Sequence, residues 1–397
     1  MTENGVDIKF LKIPAALLFL IIMISGTPAG AYGSESFSFG GYFQVNPVWM
    51  QADMVEPFGE QEWTEYRAQN RLNFRWDAAP GLVFHWQMRT RVFGGDTVED
   101  IPGYADEIDT DSGLMNLSYM LYEQDRWLLH YNTDRLYAEW EKRDWNIRVG
   151  RQRINWGVNM LTNPNDIFNI YSIYDFDYPE RPGSDALRVQ RFFGFSSRAE
   201  LAVSSNGETE ETIAAALYAF DLRGYDIQLI SGYYRERFTA GAGWAGNIGG
   251  AGFKGETVYY SDIEEKEGQR DTNYIFSASL DYMFPNTLFA VFELLYNHEG
   301  GTEEPPQAGG ALSPDNPSFS KYQAALHSSY QLHPLVDIIL TLVYYPDEEA
   351  VFVSPSLVWS VVEDLDFRIL GQFFRTGKDS AMVTSVNIVT ASLKYNF

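Results

Sequence analysis

The residues Val389-Thr390-Ala391-Ser392-Leu393-Lys394-Tyr395-Asn396-Phe397 decide how the rest of the chain is read. Val389, Ala391, Leu393, Tyr395 and Phe397 alternate with Thr390, Ser392, Lys394 and Asn396. Successive side chains of a strand point to opposite faces, so this segment has one apolar face and one polar face. The apolar face ends on an aromatic ring, and a polar face opposite an apolar one is what a wall between lipid and water requires.

Upstream the pattern repeats. Segments of strand character fall near 36–50, 63–77, 81–93, 128–141, 145–153, 186–193, 197–204, 211–220, 224–235, 237–246, 249–261, 272–284, 287–298, 319–332, 335–345, 350–361, 365–376 and 384–397. This predicts an all-β, antiparallel, up-and-down transmembrane barrel of about eighteen strands, with sixteen as the alternative count. Short turns such as Ala78-Ala79-Pro80-Gly81, Lys142-Arg143-Asp144 and Pro285-Asn286 alternate with longer connections at 51–62, 94–127, 154–185, 262–271 and 299–318. Aromatic residues make up 16% of the chain, which suits two membrane–water interfaces. The mean hydropathy of -0.25 argues against a helical membrane protein but not against a barrel, whose two faces average out.

Residues 1–31 read as a secretory signal peptide. Lys9 and Lys12 are the basic part, Ile13–Ser25 the apolar part, and Ala29-Gly30-Ala31 the small-residue cleavage pattern. Cleavage near Ala31 leaves a single domain, 32–397, destined for the bacterial outer membrane. Outer-membrane lipid and lipopolysaccharide, together with the outer-membrane assembly machinery, are then its expected partners. Leu393, Tyr395 and Phe397 are the candidate assembly signal, because an exposed terminal strand can pair with a receptor sheet. The chain has no cysteine and a net charge of -25, which excludes disulfides and disfavours nucleic acid.

Strand parity assigns the lumen face. Arg67, Arg71, Arg75, Arg89, Arg91, Arg135, Arg148 and Arg188 fall on it, so the early strands supply a wall of guanidinium groups. These are permanent charges with a fork geometry that suits carboxylate and phosphate. The expected cargo is a small or polymeric anionic solute. The competing reading is that these charges only solvate the lumen and pair with the acidic stretch 94–111.

The most distinctive stretch is Arg148-Val149-Gly150-Arg151-Gln152-Arg153-Ile154-Asn155-Trp156-Gly157 and the long connection after it. Such a long connection, rich in aromatics, is expected to fold inward as a constriction. Its candidate residues are Arg151, Arg153, Trp156, Asp166, Asp175, Asp177, Glu180, Arg181 and Asp185. Gly150-Arg151-Gln152-Arg153-Ile154 and the preceding Asp134-Arg135-Leu136-Tyr137 resemble outer-membrane porins of the alginate-export type. The resemblance implies an eighteen-stranded barrel, an arginine-lined lumen and an inward loop. It covers about 128–195, and Trp156-Gly157 and Pro179-Glu180-Arg181-Pro182-Gly183 depart from it.

No cofactor, metal or catalytic residue is expected. His85, His130, His298, His327 and His333 have no metal-ligand spacing, and the acidic stretches 96–111 and 262–267 lack a calcium-loop pattern. The favoured function is a passive porin rather than an enzyme. An export conduit for polysaccharide or lipid, and a plugged enzyme or structural barrel, are the alternatives. A homotrimer is compatible with the sequence.

Overall fold

The computed structural model describes residues 36–55, 57–169, 182–263, 272–300, 312–377 and 383–397. Residues 1–31 lie outside this range. The strands are β1 (Phe37–Met54), β2 (Gly59–Ala79), β3 (Leu82–Gly95), β4 (Ser118–Gln124), β5 (Trp127–Lys142), β6 (Trp145–Gln152), β7 (Ser184–Phe192), β8 (Arg198–Ser204), β9 (Ile213–Leu222) and β10 (Tyr225–Tyr234). They continue as β11 (Arg237–Ile248), β12 (Ala251–Asp262), β13 (Thr272–Met283), β14 (Leu288–Asn297), β15 (Tyr322–His333), β16 (Val336–Tyr345), β17 (Ala350–Val362), β18 (Leu365–Thr376) and β19 (Val383–Asn396).

Eighteen of these strands make a closed antiparallel barrel. Closure comes from β1, which pairs with β2 on one side and with β19 on the other. The remaining strand, β4, pairs with the first half of β5, while β6 pairs with the second half. On its other edge β5 meets β3 along nearly its whole length.

Tight turns join β2 to β3, β5 to β6, β9 to β10, β11 to β12, β15 to β16 and β17 to β18, and all fall on one rim, called here the short rim. Gly81 shows why turn chemistry matters there. It sits at φ +77°, and a Cβ on it would meet the Glu141 carbonyl oxygen at 2.2 Å.

The outer face carries two levels of exposed rings. Trp76, Phe84, Trp140, Trp145, Tyr330 and Trp359 stand near the short rim, and Phe238, Tyr274, Tyr322 and Tyr344 near the other. Tyr322 and Tyr330 share β15. Eight residues of rise at ~3.3 Å, tilted by ~40°, separate them by about 20 Å, close to the apolar band of an outer-membrane barrel. Among the described residues no helix is long and apolar enough to cross a membrane.

Three expectations are corrected. The connection expected at 51–62 is only 55–58, because β1 and β2 extend past the expected ends. The connection expected at 94–127 is not a plain loop. It holds two short helices, α1 (Asp96–Asp100) and α2 (Tyr104–Ile108), and then β4. Strict alternation also fails on β5, where Gln87 pairs with Arg135 but Met88 with Thr133. Asp134 is the extra residue of this bulge, so Asp134 and Arg135 both turn inward.

Part of the barrel interior is an apolar core. Ile154, Trp156, Ile167 and Phe168 are buried against Ala202, Ala215, Leu217, Ile230, Val258 and Ile275. Leu161 is buried with Phe319, Val343, Phe352 and Phe374. The segment 153–169 therefore lies inside the barrel on apolar inner faces contributed by β8 to β18.

Candidate functional site

Two inward segments face each other across the lumen. The first, 96–110, is fastened to β2. Glu65 is fully buried and accepts hydrogen bonds from Thr97 Oγ1 at 2.6 Å and from the Tyr104 hydroxyl. Burial pushes the Tyr104 hydroxyl pKa up against the pull of nearby Arg67, and Glu65 raises it further. Tyr104 also packs edge-on against Phe93, with centroids 6.2 Å apart.

The second segment, 153–169, is fastened to the opposite wall by carboxylates. Glu256 on β12 accepts from the backbone amides of Val158 at 2.6 Å, Asn159 at 2.7 Å and Asn165 at 2.8 Å. Glu293 on β14 accepts from the amides of Thr162 at 2.7 Å and Leu161 at 3.3 Å. Glu200 on β8 accepts from the Trp156 indole at 2.5 Å. Each such hydrogen bond contributes about 1 kcal/mol net. Small residues make the space: a Cβ on Gly241 or Gly243 of β11 would run into Asn165 or Gln228.

The arginine wall faces the other half of the lumen. Arg71 and Arg89 share the buried Asp134, at 2.6 and 2.9 Å. Arg135 donates to the Asp134 carbonyl at 2.8 Å. Arg148 pairs with Glu139 at 2.8 Å and Arg188 with Glu200 at 2.6 Å. Arg75 pairs with Asp77 at 2.8 Å near the short rim, and Arg67 pairs with Glu65. The Arg91 guanidinium lies 3.0 Å from His130 Nδ1. Between this wall and the first inward segment is a polar cavity of about 470 Å³. Arg67, Arg89 and Arg91 line it with the side-chain amides of Asn46, Gln69 and Asn132. Tyr104, Glu107, Ile108 and Thr110 of the inward segment, with Ala68, Phe93 and Pro182, complete its lining.

The expected constriction residues separate into groups. Trp156 is buried and meets Phe168 edge-on at 5.0 Å. Asp166 is buried and accepts from the Trp156 amide at 3.4 Å. Arg153 is partly buried at the start of the segment. Asp175, Asp177, Glu180 and Arg181 lie outside the described residues.

Arg151 and Asp185 are not on the lumen row. They sit directly opposite each other on β6 and β7, in the parity of Leu136, whose side chain is outward. Arg151 joins Asp185 and Asp111, each at 2.7 Å, and donates to the Met115 carbonyl at 2.8 Å. Burial favours protonation of Asp111, but Arg151 and the amides of Leu117 and Gly113 outweigh it and hold its pKa below the ordinary value. The Gly150-Arg151-Gln152 motif has structural tasks here. Gly150 sits at φ +117° with no room for a Cβ against the Leu136 carbonyl, and Gln152 donates to the Ala186 carbonyl at 3.0 Å.

Leu393 and Tyr395 are exposed on the outer face. Phe397 exchanges backbone hydrogen bonds with Gly41, at 2.8 and 3.0 Å, and its ring lies 5.8 Å from that of Phe39.

Asp134, Glu200, Glu256 and Glu293 carry much of this arrangement, and strand parity singles out none of them. Asp134 was hidden by the bulge. The glutamates could have been found as lone acids on an inner face beside glycine or small residues.

Ser118, His130 and Asp109 also come together. His130 Nε2 lies 2.7 Å from Ser118 Oγ and 3.3 Å from Asp109. A catalytic relay needs the carboxylate on the other ring nitrogen. Here Arg91 occupies Nδ1 and the serine donates to Asp109 at 2.8 Å, so the histidine is not arranged as a base for it.

No protein-family model matches the chain, and no curated protein sequence matches it. Solved structures do. OccAB2 of Acinetobacter baumannii is 11% identical with a TM-score of 0.58, over 93% of this chain and 99% of that one. OccK11 (OpdR) of Pseudomonas aeruginosa is 11% identical with a TM-score of 0.57, over 90% and 96%. The outer membrane protein OpdK of P. aeruginosa is 8% identical with a TM-score of 0.57, over 90% and 98%. At this level of identity the likeness is one of fold: the chain has the eighteen-stranded barrel architecture of outer-membrane porins.

Proposed function

We propose that this protein is an outer-membrane channel through which small anionic solutes pass passively, after export directed by residues 1–31. The observation that carries this reading is the polar cavity lined by Arg67, Arg89 and Arg91 with three side-chain amides. Guanidinium forks and amide donors match carboxylate or phosphate oxygens, and an arginine-lined wall favours anions over cations. In this reading 96–110 and 153–169 narrow the path from opposite sides. The test is conductance of the refolded protein in planar bilayers with a reversal potential measured across a salt gradient. Steady conductance with anion preference supports the reading; cation preference refutes it.

A second reading has one specific observation in its favour. The carboxylates of Glu256 and Glu293 bind five backbone amides of 153–169, which suits a plug held until released. The resemblance of Gly150-Arg151-Gln152 to alginate-export porins makes a polymeric anion the cargo of such a conduit. A closed barrel that opens only when residues 158–167 are deleted would favour it.

A further inference from the structure

The outer surface holds a site with a different chemistry. Near the short rim an apolar groove of about 430 Å³ lies on the lipid-facing side of β1 to β6. Leu136, Ala138 and Val149 form its floor, and Phe74, Trp76 and Trp86 rise around it. The register explains the hollow. Phe84 pairs with Ala138, and Ala138 with Val149, so a methyl side chain sits in a row otherwise filled by bulky groups.

Two outward steps below Ala138, at the rim, the row changes character. Lys142 pairs with Trp145, and Trp145 with Arg191. By parity all three point outward. The Arg191 guanidinium lies 5.2 Å from the centre of the Trp145 ring and 5.0 Å from that of Phe193. Arg143 is in the adjoining turn. Lys142, Arg143 and Arg191 are exposed, and among the described residues none of them pairs with a carboxylate, including Asp144 in the same turn. This contrasts with the lumen, where Arg71, Arg75, Arg89, Arg148 and Arg188 each have one.

We infer that this face binds one anionic phospholipid, with its phosphodiester on Lys142, Arg143 and Arg191 and an acyl chain in the groove above. Four residues of strand rise, about 13 Å, separate Lys142 from Ala138, which an acyl chain spans. Cations stacked on interfacial aromatic rings sit at headgroup level, and uncompensated positive charge there selects anionic over zwitterionic lipid. The inference rests on the membrane part of the proposed function but not on the identity of the solute.

The test is native mass spectrometry of the folded full-length mature barrel in nonionic detergent. Phosphatidylglycerol or phosphatidylethanolamine is added, with soluble glycerol phosphate as a headgroup control. Phosphatidylglycerol should stay bound under activation that strips phosphatidylethanolamine, and glycerol phosphate should not compete with it. Lys142→Gln with Arg191→Gln should lower phosphatidylglycerol affinity about thirtyfold, at roughly fivefold per cation. Ala138→Leu should fill the groove and weaken both lipids. Equal retention of the two lipids, or an unchanged double variant, would overturn the headgroup assignment. Full competition by glycerol phosphate, or no effect of Ala138→Leu, would overturn the groove. Each variant is first checked for heat-modifiable migration and wild-type conductance. Loss of lipid with normal conductance separates this site from the channel reading.

Discussion

The two halves of the lumen use charge in opposite ways. On β2 to β7 the arginines pair sideways with carboxylates along the wall and still line a polar cavity. On β8 to β14 the glutamates are buried under an inward segment: Glu256 and Glu293 hold its backbone, and Glu200 holds the Trp156 indole. One half presents side-chain charge to the path; the other spends it on fastening. A polar residue at lumen parity is thus no guide to selectivity until its partner is known.

The comparison can be broken at several points. The largest effect is expected from Glu256→Ala with Glu293→Ala. Five amide hydrogen bonds disappear, about 5 kcal/mol of anchoring at about 1 kcal/mol each. Conductance should rise severalfold, and hydrogen exchange should accelerate in 158–165. No change in either would mean that the apolar contacts alone hold the segment. Next is Asp134→Ala, which leaves Arg71 and Arg89 without their shared carboxylate. Removing one partner of a buried ion pair costs about 3–5 kcal/mol, read as a lower urea midpoint for unfolding.

Arg67→Ala with Arg91→Ala sharpens the contrast instead. Both line the cavity, so the anion-to-cation permeability ratio should fall severalfold while conductance persists. An unchanged reversal potential would remove the arginine wall from selectivity. The smallest effect concerns acid. The pKa of Asp111 lies below its ordinary value in the folded protein. Its contribution to stability is therefore present above about pH 4 and is lost as the pH falls through the folded value. Amides near β4 should exchange faster below that point in the native protein, and Asp111→Asn should show the faster exchange at pH 7.

Much of this architecture was readable because alternation is a local signal. Val389 to Phe397 and Glu65 to Asp77 each declare two faces without reference to any neighbour. The turn at Gly81 and the cross-strand pairs around it follow from the same reading. What escaped depends on distance. Ser118 to Gln124 has no clean alternation, and its pairing is set by β5. Asp134 belongs to the lumen only because a bulge inserts one residue, and parity counted from Arg135 places it in lipid. Glu256 looks like any solvated lumen acid until residues 158–165, nearly a hundred positions earlier, arrive above it. Arg151 was placed in a constriction because it precedes one, yet its partners lie in the wall.

That last point has a consequence for the wall itself. Where β6 ends, β4 takes its place beside β5, and among the described residues β4 has no ladder with β7. The fence there is stitched by Arg151, Asp185, Asp111 and the backbone of Met115. Everywhere else in the described circumference, neighbours are zipped by repeating amide bonds that titrate with nothing. A barrel with such a seam can loosen over one short height without unzipping, and protonation of Asp111 removes one of its stitches.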